Sequence, residues 1–169
     1  MKKNQSGLVL ICANSDEELS QLALSTIVSQ LESLSKIAIV SKKGQFTEAD
    51  LNQLKVKNDS CIFYHFSFDE LNTEEAHRVV YEVLRLSPRA IYFDDFDYGK
   101  GLDAIISVAR ASHLIFLGKR GSSPSEAIEQ LSSKISNRHF LEASFNSVIA
   151  PNYKEEKSLH SLKLNACLE

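Results

Sequence analysis

The sequence predicts an α/β domain in three layers: a mostly parallel sheet with helices on both faces. Three observations lead there. Short runs that are apolar throughout, such as Leu8–Cys12 and Ala90–Phe93, read as strands buried on both sides. Between them lie segments whose apolar residues recur every three or four positions, the helical period. The two kinds of segment alternate along the chain, which is the pattern of parallel strands joined by crossover helices.

Leu8–Cys12 is the first strand. Asn14 or Ser15 can cap the next helix, whose first turn carries Asp16, Glu17 and Glu18, where carboxylates complement the helix dipole. Leu19, Leu22, Ala23, Thr26, Ile27, Gln30, Leu31 and Leu34 fall near one face of it. Ile37–Val40 is the second strand, closed by the turn SKKG, and Thr47 caps a short helix that runs to Leu54. Cys61–Phe68 is the third strand; it alternates Ile62, Tyr64, Phe66 and Phe68 against Cys61, Phe63, His65 and Ser67. Thr73 caps a helix carrying Ala76, Val79, Val80, Val83 and Leu84, and Pro88 separates that helix from the strand Ala90–Phe93. The strand ends in Asp94, Asp95, Phe96 and Asp97, and Asp97 can cap a helix with Leu102, Ile105, Ile106 and Ala109. His113–Leu117 is the next strand, followed by the loop GKRGSSPS and a helix with Pro124 in its first turn and Ala127, Ile128 and Leu131 on one face. By periodicity, a further helix runs from Ser136 or Asn137 through Leu141, Phe145, Val148 and Ile149, and Pro151 ends it. After the turn KEEK, residues 159–168 alternate less strictly and read as a closing strand.

The 169 residues read as one domain, long enough for a sizeable core, with no repeat, low-complexity segment or linker. Apolar content of 43% and charged content of 24% are ordinary for a globular chain. The net charge of -3 gives no ground for expecting general binding to nucleic acid or to an anionic membrane surface. No apolar run reaches the roughly 18 residues of a membrane span. The N-terminal apolar run is only about six residues long and acids follow at once, which argues against a signal peptide. Cys12, Cys61 and Cys167 are far apart, lack metal-ligand spacing and read as buried free thiols in a reducing cytoplasm. In a parallel sheet ligands bind beyond the carboxyl ends of the strands, where the loops Ala13–Glu18, Asp94–Lys100 and Gly118–Ser123 converge.

The order and spacing of these loops carry a resemblance. Residues 68–131, with IYFDDFDYGKG and LIFLGKRGSS at the two later loops, are preceded by Gly7-LVLIC and followed by Leu141-EASFNSVIAPNY. Together they resemble the catalytic domain of the type II/type IV secretion and pilus motor ATPases, a RecA-like P-loop family. The resemblance covers nearly the whole chain and lies in spacing and apolar pattern. It implies a RecA-like core, with Gly7-LVLIC as the Walker A strand, the Walker B and histidine-box strands within 68–131, and a helix and strand at 141–153. It also implies that the chain lacks the family's N-terminal domain.

The chemical motifs depart from that family. Where its phosphate loop reads GxxGxGK[ST], Ala13, Asp16 and Glu18 stand at the glycines, Leu19 at the lysine and Ser20 at the hydroxyl. Only Ser20 matches. The glycines let N–H groups approach the phosphates and the lysine neutralises their charge. Here Asp16, Glu17 and Glu18 would meet the triphosphate, at about 4 kcal/mol for one like-charge contact near 4 Å at an effective dielectric near 20. The stretch makes sense instead as an ordinary capped helix. Asp94 stands at the family's glycine and Asp95 at its catalytic glutamate. They read either as Mg²⁺ ligands, since hard oxygens suit that ion, or as a solvated acidic strand end. The lack of a phosphate cradle favours the second. Arg120 takes the place of the box's histidine, and Ser122 and Ser123 keep its small polar end. Lys119 and Arg120 can pair with Asp94, Asp95 or Glu17, bind an anionic partner, or stand in solvent. Tyr64, His65 and Phe66 replace arginines that act on nucleotide in the family. His65, His77 and His113 read as structural or surface histidines, and no GxSxG elbow is present.

The resemblance with its replaced motifs implies a catalytically inactive domain, a cytoplasmic pseudo-ATPase with no cofactor and no metal. It would act through protein contacts, as a regulatory or assembly component of a pilus or secretion machine, without nucleic acid or membrane insertion. The family's hexameric rings depend on the N-terminal domain and on shared nucleotide, so a monomer or dimer is expected. Two alternatives stand beside this reading. One is a divergent enzyme that binds nucleotide or phosphate through Lys119, Arg120 and Ser20 with a metal on Asp94 and Asp95. The other is an unrelated α/β binding module.

Overall fold

A computed structural model of the chain describes residues 6–30, 34–69, 72–95 and 99–151. The elements alternate as expected: β1 (Gly7–Ala13), α1 (Asp16–Gln30), β2 (Lys36–Lys42), α2 (Glu48–Lys57), β3 (Ile62–Phe68) and α3 (Thr73–Arg85). There follow β4 (Ala90–Asp94), α4 (Gly99–Ala111), β5 (Leu114–Arg120), α5 (Pro124–Lys134), α6 (Arg138–Ser144) and β6 (Phe145–Ile149). The strands form one sheet in the order β3-β2-β4-β5-β1-β6, and every neighbouring pair is parallel.

Alternate side chains of the strands feed two cores, one on each face. Leu8, Leu10, Val40, Ile91, Phe93, Ile115 and Leu117 meet Ala76, Val80, Ile105, Ile106, Ala127, Leu131 and Leu141 from α3, α4, α5 and α6. Ile11, Ile37, Ile39, Tyr92 and Phe116 meet Leu19, Ala23 and Ile27 of α1 and Leu54 of α2. Full burial of each leucine, isoleucine, valine or phenylalanine among them is worth about 1.5–3 kcal/mol, so the two faces together anchor the central strands. Residues of β1, β4 and most of β5 are buried, as their unbroken apolar runs predict.

The structure differs from the sequence reading in several places. The cap of α3 is Asn72, not Thr73: its side chain accepts from the N–H groups of Glu74 and Glu75, and Glu75 reaches back to the Asn72 N–H. The glutamate three residues after Asn72 is the capping-box signal that selects it. Residues 145–149 are a strand, not the continuation of a helix. Positions 141, 145, 148 and 149 fit the helical period, yet 145–149 pair with the outer edge of β1, and the tertiary partner overrides the local pattern. The resemblance, by contrast, implied a strand there. β3 starts at Ile62 rather than Cys61, α2 runs on to Lys57, and β5 runs to Arg120 because it stays paired with β1 as far as Ala13. Lys119 and Arg120 therefore sit on a strand rather than in a loop. Leu31, the capping role given to Asp97, Cys167 and the closing strand at 159–168 lie outside the described residues. Among the described residues no helix is long and apolar enough to cross a membrane.

Candidate functional site

The carboxyl ends of β1, β4, β5 and β2 meet at one end of the sheet. β1 and α1 are joined there by Asn14 and Ser15 alone. The Ser15 hydroxyl accepts from the Glu18 N–H at 3.2 Å, and the Glu18 carboxylate accepts from the Asn14 N–H at 3.1 Å. Thus α1 starts directly after its strand, capped by its own side chains. Ala13 is buried, and its carbonyl accepts from the Gly121 N–H at 3.1 Å.

Asp95 is the centre of the site. Its carboxylate accepts from Lys42 Nζ at 3.1 Å, Lys119 Nζ at 3.0 Å, and Arg120 Nε and Nη2 at 3.1 and 2.9 Å. Arg120 also lies 3.4 Å from the Asp16 carboxylate, which ties the start of α1 to the cluster. The Lys119 side chain is only 3% exposed and that of Asp95 12%. Burial pushes the Asp95 carboxyl up, but the Lys119 charge and the hydrogen bonds from Arg120, Lys119 and Lys42 outweigh it, so its pKa falls below the ordinary carboxylate value. The same contact holds the Arg120 guanidinium more firmly protonated. The backbone is bent to make this possible: Asp95 has φ 41°, a left-handed conformation that Asp tolerates better than most residues. Its N–H donates to Gly118 O at 3.0 Å, across the β4–β5 step.

Asp94 is buried and differently employed. The Tyr92 hydroxyl donates to it at 3.0 Å and the Lys42 N–H at 3.4 Å. Burial raises its pKa against both hydrogen bonds, and the neighbouring Asp95 charge raises it further. Tyr92, itself buried beside Asp94, is pushed well above its ordinary range, so it stays a hydroxyl donor. The Tyr92 hydroxyl covers Gly118, where an added Cβ would lie 2.6 Å from it and 3.4 Å from a methyl of Leu19. Leu19, which the resemblance sets at the family's lysine, is wholly buried in this packing. Ser20 is engaged by Gln45, whose side-chain nitrogen lies 2.6 Å from its hydroxyl, and by the Asp16 carbonyl at 2.8 Å.

The structure thus brings Asp16, Asp94, Asp95, Lys119 and Arg120 together, with Leu19 beneath them. Glu17 is exposed and lies 3.5 Å from Gln21 on its own helix; the acid that Arg120 reaches on α1 is Asp16. Two participants were not expected, Lys42 and Tyr92. Lys42 falls in the stretch read as the turn SKKG, and only the β2–β4 adjacency puts it beside Asp95. Tyr92 was detectable, because residues two apart on a strand share a face and Tyr92 precedes Asp94 by two.

These residues do not fit a divalent cation. Both Asp95 oxygens already accept from cations, Asp94 is held by a hydroxyl, and among the described residues no group of three or more His, Cys, Asp or Glu converges. Cys12 lies beneath, its thiol 3.6 Å from the carbonyls of Gly121 and Ser123. Burial, with the charges of Glu126 and Glu18, pushes its pKa up to about 11, so it is an unreactive thiol. His65 accepts or donates to the buried Ser41 hydroxyl at 2.9 Å, a structural contact.

Comparison with known proteins identifies the fold. The chain superposes on the ATPase DotB of Legionella pneumophila with a TM-score of 0.66 and 16% identity, covering 87% of this chain and 41% of that one. On the pilus retraction motor PilT with bound ADP the TM-score is 0.67 at 15% identity, over 86% of this chain and 42% of PilT. The Yersinia pseudotuberculosis DotB gives 0.62 at 13%, over 86% and 39%. The chain therefore spans about two-fifths of the length of these solved chains. No protein-family model matches it, and no curated protein does. With a six-stranded, all-parallel sheet between two helical layers, this chain shares the α/β fold of the ATPase DotB and the pilus retraction motor PilT.

Proposed function

We propose that this domain is a non-catalytic form of the motor ATPase fold, a cytoplasmic pseudo-ATPase that works through protein contacts. The observation that carries it is the occupied site: Lys42, Lys119 and Arg120 converge on the carboxylate of Asp95 rather than on open space. The two-residue β1–α1 connection and the buried Leu19 support it, because the connection has no glycine loop to wrap a phosphate chain and Leu19 offers it no cation. The three acids at the start of α1 add repulsion to an incoming polyanion. The pilus role of the similar PilT, together with the resemblance read in the sequence, suggests where the domain acts, as a regulatory or assembly component of a pilus or secretion machine.

Thermal unfolding with ATP, ADP and Mg²⁺ tests this reading. A ligand at a hundred times its Kd that binds only the native state adds about 2.7 kcal/mol, or roughly 5–10 °C in Tm for a domain of this size. No shift is expected at millimolar nucleotide. A Mg²⁺-dependent rise that Asp95→Asn abolishes would overturn the proposal and favour the divergent enzyme.

A further inference from the structure

β3 is an edge strand, and its hydrogen-bonding parity can be read from its contacts with β2. The Ile62 N–H donates to Ser35 O at 3.0 Å, and Phe68 O accepts from the Lys43 N–H at 2.7 Å. In a parallel ladder the residues between them alternate. Ile62, Tyr64, Phe66 and Phe68 therefore direct their amides toward β2, and Phe63, His65 and Ser67 direct theirs outward. Among the described residues no strand pairs with that outer edge.

Among the described residues the edge carries none of the usual protections. The strand IFYHFSF has no Lys, Arg, Asp, Glu or Pro, and no bulge interrupts its register with β2. Of the four large apolar side chains left exposed among the described residues, Val56, Ile62 and Tyr81 lie on α2, β3 and α3, the three elements around this edge.

We propose that this edge pairs with the β3 edge of a second copy of the chain, antiparallel about a twofold axis through His65. Three features single out a second copy. First, centring on His65 puts Phe63 opposite the other copy's Ser67 and His65 opposite its own counterpart. Every outward N–H and C=O of both strands then finds a partner, in about six interchain bonds. Second, the same register places Tyr64 opposite the other copy's Phe66 twice, and aromatic cross-strand pairs are stabilising. Third, self-pairing of a strand brings like residues together, and this one has no formally charged side chain to oppose itself. The two sheets would join into one continuous sheet. The inference goes beyond the proposed loss of nucleotide chemistry, since no residue of the Asp95 cluster takes part, and each can fail alone.

Sedimentation velocity over a concentration series, combined with amide hydrogen exchange, tests it. The expected result is a concentration-dependent dimer in which the amides of Phe63, His65 and Ser67 are protected, and lose protection on dilution. Those of Tyr64 and Phe66 stay protected at both concentrations, because β2 holds them. Ser67→Pro removes an outward N–H on each copy and leaves the β2 ladder intact, so the dimer should weaken about thirtyfold. A monomer at all concentrations overturns the proposal. So does a dimer in which these three amides exchange as in the monomer, a readout on the unmodified chain that stands even if Ser67→Pro fails to fold.

Discussion

Asp95→Asn removes one negative charge from a cluster of three cations and changes almost nothing else. Asn tolerates the φ of 41° as well as Asp does, and has the same shape, so the backbone strain is unaltered. Of the three pairs broken, two count for little: the side chains of Lys42 and Arg120 are 33% and 46% exposed, and such pairs are worth about 0–1 kcal/mol each. The pair with Lys119 dominates, because that side chain is 3% exposed at 3.0 Å. Taking one partner from a buried pair costs about 3–5 kcal/mol. The amide oxygen of Asn can still accept one hydrogen bond and Lys119 keeps a further contact, so the lower end applies, about 3 kcal/mol, or roughly 6–12 °C in Tm. Urea unfolding at neutral pH measures it without added ionic strength. Lys119→Met in the Asp95→Asn background should recover most of the loss, since an apolar side chain needs no counter-charge. The Asp95 pKa is depressed, so its contribution is present above the unfolded carboxylate value of 3.8 and disappears as pH falls through the lower native value. The gap between Asp95→Asn and the unmodified chain must therefore close in acid. A loss below about 0.5 kcal/mol, or strictly additive effects of the two substitutions, would refute the buried-pair argument.

Gly118→Ala should destabilise the fold by about 1–3 kcal/mol, since the new Cβ would lie 2.6 Å from the Tyr92 hydroxyl. The loss should be smaller when measured in a Tyr92→Phe background; an equal loss in both would show that the clash lies elsewhere. His65 and His113 have lowered pKa values, both from burial and His113 also from the Arg89 charge, so the unfolded state binds their protons first. Their stabilising effect is full above pH 6.5 and is lost as pH falls below it, lowering the urea midpoint. Replacing both by Gln should flatten that slope, whereas a midpoint that rises on acidification from 7.5 to 6 would contradict the sign.

The site was partly legible in the sequence. Position 19 announces itself, because a leucine in the helical apolar series cannot also hold a phosphate. Asp95, Lys119 and Arg120 were recognisable as opposite charges on facing loops, but three outcomes were open to them. Lys42 was invisible, since a lysine at the end of a strand acquires meaning only from the strand beside it.

The sequence by itself determined the α/β class, the identity of most strands and helices, and the two apolar faces of the sheet. These follow from local periodicity and from the residue types present at given spacings. Only the tertiary structure settled the conflict between periodicity and resemblance at Phe145–Ile149 in favour of a strand, and only it decided that Asp95 and not Asp94 takes the cations, that Asp94 turns inward to Tyr92, and that β3 lies at the edge with the amides of Phe63, His65 and Ser67 facing out. Those outcomes depend on which strands are neighbours, and strand order is set by burial of the whole sheet between two layers of helices, a property no short stretch of the chain contains.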